Sequence, residues 1–73
     1  MRARSLQDGR LFEGANASEV VIRMRDAEPA NRRLSVEAYM ETVRVFIGEK
    51  VDTRSPARFL ESLSALGLLA LEV

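Results

Sequence analysis

Turn and cap signals recur so often along this chain that only short secondary-structure elements fit between them. Asp8-Gly9, Gly14, Pro29, Gly48, Ser55-Pro56 and Gly67 punctuate 73 residues. Glycine and proline at such spacing break both helix and strand periodicity. The chain must therefore build its core by packing several short pieces, because no single helix is long enough to be stable alone.

The first piece reads as a hairpin. Asp8-Gly9 is a strong short-turn signal, flanked by extended runs at 2–6 and 10–13. Leu11 and Phe12 are adjacent, so the pattern leaves open which face of the hairpin is buried.

Three helices follow. Asn16 and Glu19 have the spacing of a capping box. Val20, Val21, Met24 and Ala27 then recur at helical intervals, with Glu19 and Arg23 placed for an i,i+4 pair. Pro29 ends this helix. Ser35 opens the second helix, where Leu34 can staple onto Tyr39, and Val36, Tyr39, Met40, Val43, Phe46 and Ile47 form one apolar stripe stopped by Gly48. Ser55-Pro56 opens the third, with Ser at the N-cap and Pro at the first helical position. Phe59, Leu60, Leu63 and Leu66 face inward, and Gly67 is placed to close a Schellman cap in which Leu68 meets Leu63.

Two further strands are expected. Residues 50–53 are too few for a helix and suggest a short strand around Val51. Residues 68–73 are apolar except for Glu72, the pattern of a strand covered on both faces. The expected fold is thus one α+β domain over 1–73, in the order β-β-α-α-β-α-β, with three short helices on a small, mostly antiparallel sheet.

A chain of this size buries only about 60% of its unfolded surface, so the core must be dense. An apolar content of 47% meets that demand, and with no Cys there is no disulfide to help. Missing Cys also removes thiolate zinc and redox chemistry. Missing His removes the commonest general base and zinc ligand. No glycine-rich phosphate loop or activated nucleophile can be assembled from what remains, so the expectation is a protein that is not an enzyme and needs no cofactor. Glu37 and Glu41 share a helix face, as metal-binding carboxylates can. That face also carries Arg44 and reads as solvated.

Eleven basic residues balance eleven acidic ones, so there is no net field to gather nucleic acid or an anionic membrane. Residues 1–33 lean basic and residues 34–73 lean acidic. Ten of the basic residues are Arg, in keeping with bidentate recognition or ion pairing and more simply with GC-rich codon usage. Residues 1–4 run into no apolar leader, and the stretch 63–71 is far shorter than the ~20 residues that cross a bilayer. A soluble, cytoplasmic protein with no membrane contact is expected, of the kind found among small bacterial or phage accessory proteins.

Residues 55–69 resemble the recognition helix and first wing strand of winged-helix DNA-binding proteins, through Leu-x-x-Leu-Gly-Leu-Leu running straight into a strand. That resemblance implies a helix offered to a DNA groove. The sequence departs from the pattern: no compact helix stands just before it, and Arg58 is the only cation on its outer face. A capped amphipathic helix accounts for the same residues.

Binding is therefore the expected role, most readily to another protein or to a second copy of the chain. Leu69, Leu71 and Val73 in the last strand are the candidate contacts, because an apolar edge strand invites strand addition. The alternative is a nucleic-acid-binding or regulatory protein. It would use Arg2 and Arg4, which alternate onto one strand face, with Arg10 opposite them if the hairpin register allows.

Overall fold

The computed structural model describes residues 1–72; Val73 lies outside the described residues. Strand β1 (Arg2–Ser5) and strand β2 (Leu11–Glu13) form the hairpin. Helix α1 (Ala17–Asp26), a 3-10 turn (Pro29–Asn31), helix α2 (Val36–Ile47) and helix α3 (Pro56–Ala65) follow, and strand β3 (Leu69–Glu72) closes the chain's path. Three helices cover one face of a three-stranded antiparallel sheet ordered β2-β1-β3, the α+β class expected from the punctuation.

The local signals were used much as chemistry demands. Each helix begins at a side-chain cap: Asn16 accepts the Glu19 N–H at 3.0 Å, Ser35 the Ala38 N–H at 3.1 Å, and Ser55 the Arg58 N–H at 3.2 Å. These bonds satisfy donors that the first helical turn leaves free. Helix α3 ends in the full Schellman pattern, with Leu68 N–H on the Leu63 carbonyl, Gly67 N–H on the Ser64 carbonyl, both at 3.0 Å, and Gly67 at φ +78°. The hairpin turn is wider than Asp-Gly alone would make it. Ser5 N–H bonds Arg10 C=O at 2.8 Å across residues 6–9, while Asp8 accepts the Arg10 N–H and Gly9 takes φ +76°.

Gly14 joins β2 to α1 under steric constraint. A Cβ there would stand 2.6 Å from Glu19 Cβ and 2.9 Å from Val20 N, so the chain can pass the first turn of α1 only without a side chain. Glu19 is committed to that turn as well. It accepts the Ala15 N–H at 3.0 Å instead of pairing with Arg23.

The core collects Ala3 from the centre of the sheet, Val20 and Val21 from α1, Tyr39 and Met40 from α2, Phe59, Leu60 and Leu63 from α3, Leu69 from β3, and Val51. Tyr39 and Phe59 meet edge to face, centroids 6.2 Å apart. Two strand expectations are corrected here. Residues 50–53 form no strand: Val51 is a buried plug in an irregular connection, held by Val51 N–H on Gly48 C=O and Asp52 N–H on Ser62 Oγ at 2.9 Å. With no neighbouring strand within reach, burial of one valine replaces pairing. Strand β3 is also not covered on both faces. It stands at the sheet edge beside β1, with Leu69 and Leu71 turned to the helices and Glu72 exposed.

No helix among the described residues is long and apolar enough to cross a membrane.

Candidate functional site

Arg2 and Arg4 do share the outer face of β1, as alternation requires. Each meets a carboxylate from a neighbouring strand: Arg2 with Glu13 of β2 at 3.2 Å, Arg4 with Glu72 of β3 at 3.7 Å. Arg10 does not lie opposite them. It sits just before β2 and spans Asp8 at 3.4 Å and Glu28 at 3.5 Å, tying the hairpin loop to the end of α1. The three arginines thus form cross-strand and cross-loop ion pairs, with their charge largely matched in place. Arg25 is also used internally, donating to the Leu34 carbonyl and pairing with Asp26.

Leu69 and Leu71 lie on the opposite face of the sheet, facing the core. Their backbones point elsewhere. Leu6 N–H on Leu68 C=O at 3.1 Å sets the pairing phase, so the N–H and C=O groups of Leu69 and Leu71 face away from β1. Those groups bond no described residue. Val73 lies outside the described residues.

The Glu37/Glu41 pair does not converge. Glu41 is drawn to Arg44 at 2.7 Å, and this side-chain hydrogen bond lowers its carboxyl pKa. At the connection beyond α2, hydrogen bonds from the Arg54 guanidinium and the Arg54 N–H hold the Asp52 carboxyl down to about 2. Both are local surface pairs.

A different region stands out. An open cleft of about 400 Å³ lies between the hairpin loop, the end of α1, the second half of α2, and the turn from α3 to β3. Phe12, Met24, Tyr39, Val43, Leu63 and Leu68 give it apolar walls, and Asp8, Arg10 and Glu28 stand among its polar lining. Tyr39 is 8% exposed, and its hydroxyl bonds no described residue, yet it is not sealed from solvent. Tyr39 is thus a largely buried residue that also lines the cleft. Desolvation, with the nearby Glu28 charge, raises its pKa above 10.0, so it keeps its proton at neutral pH.

Ile47 lines the same cleft and begins a second anomaly. Val45 is 77% exposed, Phe46 85% and Ile47 45%, three large apolar side chains in succession at the end of α2. The apolar stripe along α2 runs on through Phe46 and Ile47, but the protein body ends before the helix does. Gly48 N–H caps the Arg44 carbonyl at 2.8 Å, while the carbonyls of Val45, Phe46 and Ile47 accept nothing from the described residues. Apolar side chains and free acceptors thus occur together on one exposed turn.

The sequence reading missed Tyr39, Phe46, Ile47 and the cleft walls. One signal was available: the apolar stripe of α2 runs to its last residue, and α2 has 12 residues where α1 and α3 have 10. No family model, no curated protein and no solved structure matches the chain.

Proposed function

We propose that this protein is a non-catalytic, cytoplasmic interaction module that binds another protein through the cleft and the exposed end of α2. The observation carrying this reading is the near-complete exposure of Phe46 between Val45 and Ile47, beside an open apolar cleft. Contiguous apolar surface of that kind is a mark of binding sites. Peptide selection from a displayed library, with amide-shift mapping of the selected peptides, tests it. Expected are shifts at Val43, Phe46, Ile47 and Leu68; peptides that bind only elsewhere, or none at all, would refute it.

A second reading has its own observation, the unbonded outer edge of β3. Strand addition there would join two copies or a partner's strand. It predicts that the amides of Leu69 and Leu71 gain exchange protection as protein concentration rises. Exchange rates independent of concentration would remove self-association by that edge.

A further inference from the structure

We propose that Asp8 is a guarded site of isoaspartate formation: its link to Gly9 rearranges when the hairpin loop opens, and in the folded loop the Gly9 amide and the grip of Arg10 prevent it. The inference does not depend on which surface binds a partner.

The chemistry favours an aspartate followed by a residue that leaves its amide nitrogen unhindered. Only one of the four glycines follows an aspartate, whereas Asp26 and Asp52 precede Ala27 and Thr53. With no Cβ at Gly9 the main chain can be approached closely, and both Asp8 and Gly9 are exposed. In the rearrangement the Gly9 nitrogen bonds to Asp8 Cγ, and its proton leaves with the carboxyl hydroxyl as water, giving a succinimide. Water then opens the ring. Cleavage of the new Cγ–N bond restores aspartate. Cleavage of the original peptide bond leaves the main chain running through Cβ and Cγ, with the former main-chain carbonyl carbon as the free carboxylate. Mass is conserved, and water is the only reagent.

Both reacting groups are engaged elsewhere in the folded loop. The Gly9 N–H donates to the Ser5 carbonyl at 2.9 Å. Asp8 Oδ1 accepts the Arg10 N–H at 3.1 Å, and Oδ2 stands 3.4 Å from Arg10 Nε, so the carboxylate is held past Gly9 toward residue 10. Arg10 is anchored in turn by Glu28 at 3.5 Å. The Arg10 N–H, foremost, keeps the Asp8 carboxyl below its usual 3.8. Ring closure expels water from the neutral acid, so an ionised carboxylate closes more slowly. Isoaspartate would add a methylene to a loop whose ends are fixed by the 2.8 Å bond from Ser5 N–H to Arg10 C=O, and would take the carboxylate out of the Arg10 grip.

Ageing of the intact chain, folded in buffer and unfolded in guanidinium chloride at the same pH and temperature, is the test. Digestion with a protease that cuts before aspartate but not before isoaspartate, read by mass spectrometry, reports residue 8 beside Asp26 and Asp52. In the unfolded chain, isoaspartate should build up at residue 8 well ahead of the other two. In the folded chain it should build up at least roughly tenfold more slowly, because only the open loop reacts. The Gly9 amide of the folded chain should show matching protection from hydrogen exchange. Arg10→Ala should age several-fold faster than the parent when folded and no faster when unfolded, and Asp8→Glu should abolish the signal. Equal rates in the folded and unfolded chain, an unprotected Gly9 amide, or a folded Arg10→Ala that ages no faster than the parent would each overturn the guard. No isoaspartate at residue 8 of the unfolded chain removes the site itself.

Discussion

The sheet with α1 and α3, and the far end of α2, treat the same residue types in opposite ways. In the first region most side chains have found a counterpart, and the open groups are confined to the outer sheet edges. Caps accept the free amides, Arg2 and Arg4 face Glu13 and Glu72, and Phe59 and Leu60 are fully buried. In the second, an aromatic ring lies in solvent between two further exposed apolar side chains, and three carbonyls accept nothing from the described residues. The contrast teaches where the chain's own fold stops using its sequence. A pattern that is satisfied internally explains stability, and the unsatisfied remainder of the same pattern is where binding should be sought.

Two phenylalanines break or sharpen this contrast most strongly. Phe59→Ala should cost about 3–5 kcal/mol, enough to unfold a domain this small, whereas Phe46→Ala should change stability by under ~0.5 kcal/mol. Urea unfolding of both variants, at concentrations where the parent is monomeric, reads the difference directly. Comparable losses would mean that the end of α2 belongs to the core after all.

Next in size is Gly14→Ala. The added methyl meets α1 backbone and the Glu19 Cβ, so a loss of about 1–3 kcal/mol is expected. The same change at Gly9 meets no neighbouring atom and is opposed only by its positive φ. Thermal melts of the pair separate steric crowding from backbone strain.

Ser55→Ala should then remove about 1 kcal/mol by freeing the Arg58 N–H, as judged by denaturant midpoint.

The smallest effects are electrostatic. Tyr39 is the only tyrosine, so phenolate absorbance reports it alone. Its folded pKa lies above the unfolded value of 10.0, so the folded state holds the proton longer, and stability should decline as pH rises past 10.0. Asp52 runs the other way. Its carboxyl is lowered from 3.8 to about 2, so its contribution is present above pH 3.8 and fades as pH falls toward 2. Asp52→Asn should flatten that acid limb slightly, because the pair is exposed on the Arg54 side.

Much of the fold was legible because its signals are local. A Ser or Asn cap, a C′ glycine and an Asp-Gly turn act within four or five residues, and Asn16, Ser35, Ser55 and Gly67 all serve as their chemistry suggests, while Asp8-Gly9 marks the hairpin within a wider loop. What stayed hidden depends on distant neighbours. Val51 looks like a strand residue until no strand is near it, and the apolar run of β3 looks two-sided until α3 is seen to cover one face. Glu19 had two local partners, and hydrogen-bonding the Ala15 amide prevailed over a solvent-exposed pair with Arg23. The candidate site was least legible of all. Leu69 and Leu71 were named for their side chains, yet it is their backbone that stands open, and Phe46 reads as core until the body beneath it runs out.

The sheet order also sets a timetable. Strand β1, nearly the first residues of the chain, is the central strand, and it pairs Arg2 with Glu72 and Ser5 with Leu69. The hairpin can form early from neighbouring residues, but its second partner arrives only after all three helices have been laid down. Closing the loop between residues 6 and 68 carries the largest entropic cost of the strand pairings. During synthesis one side of β1 stays unpaired until residues 69–72 have been made. The rate-limiting event in folding should therefore be the docking of β3, which refolding kinetics of variants at Leu69 and Ala3 would register together.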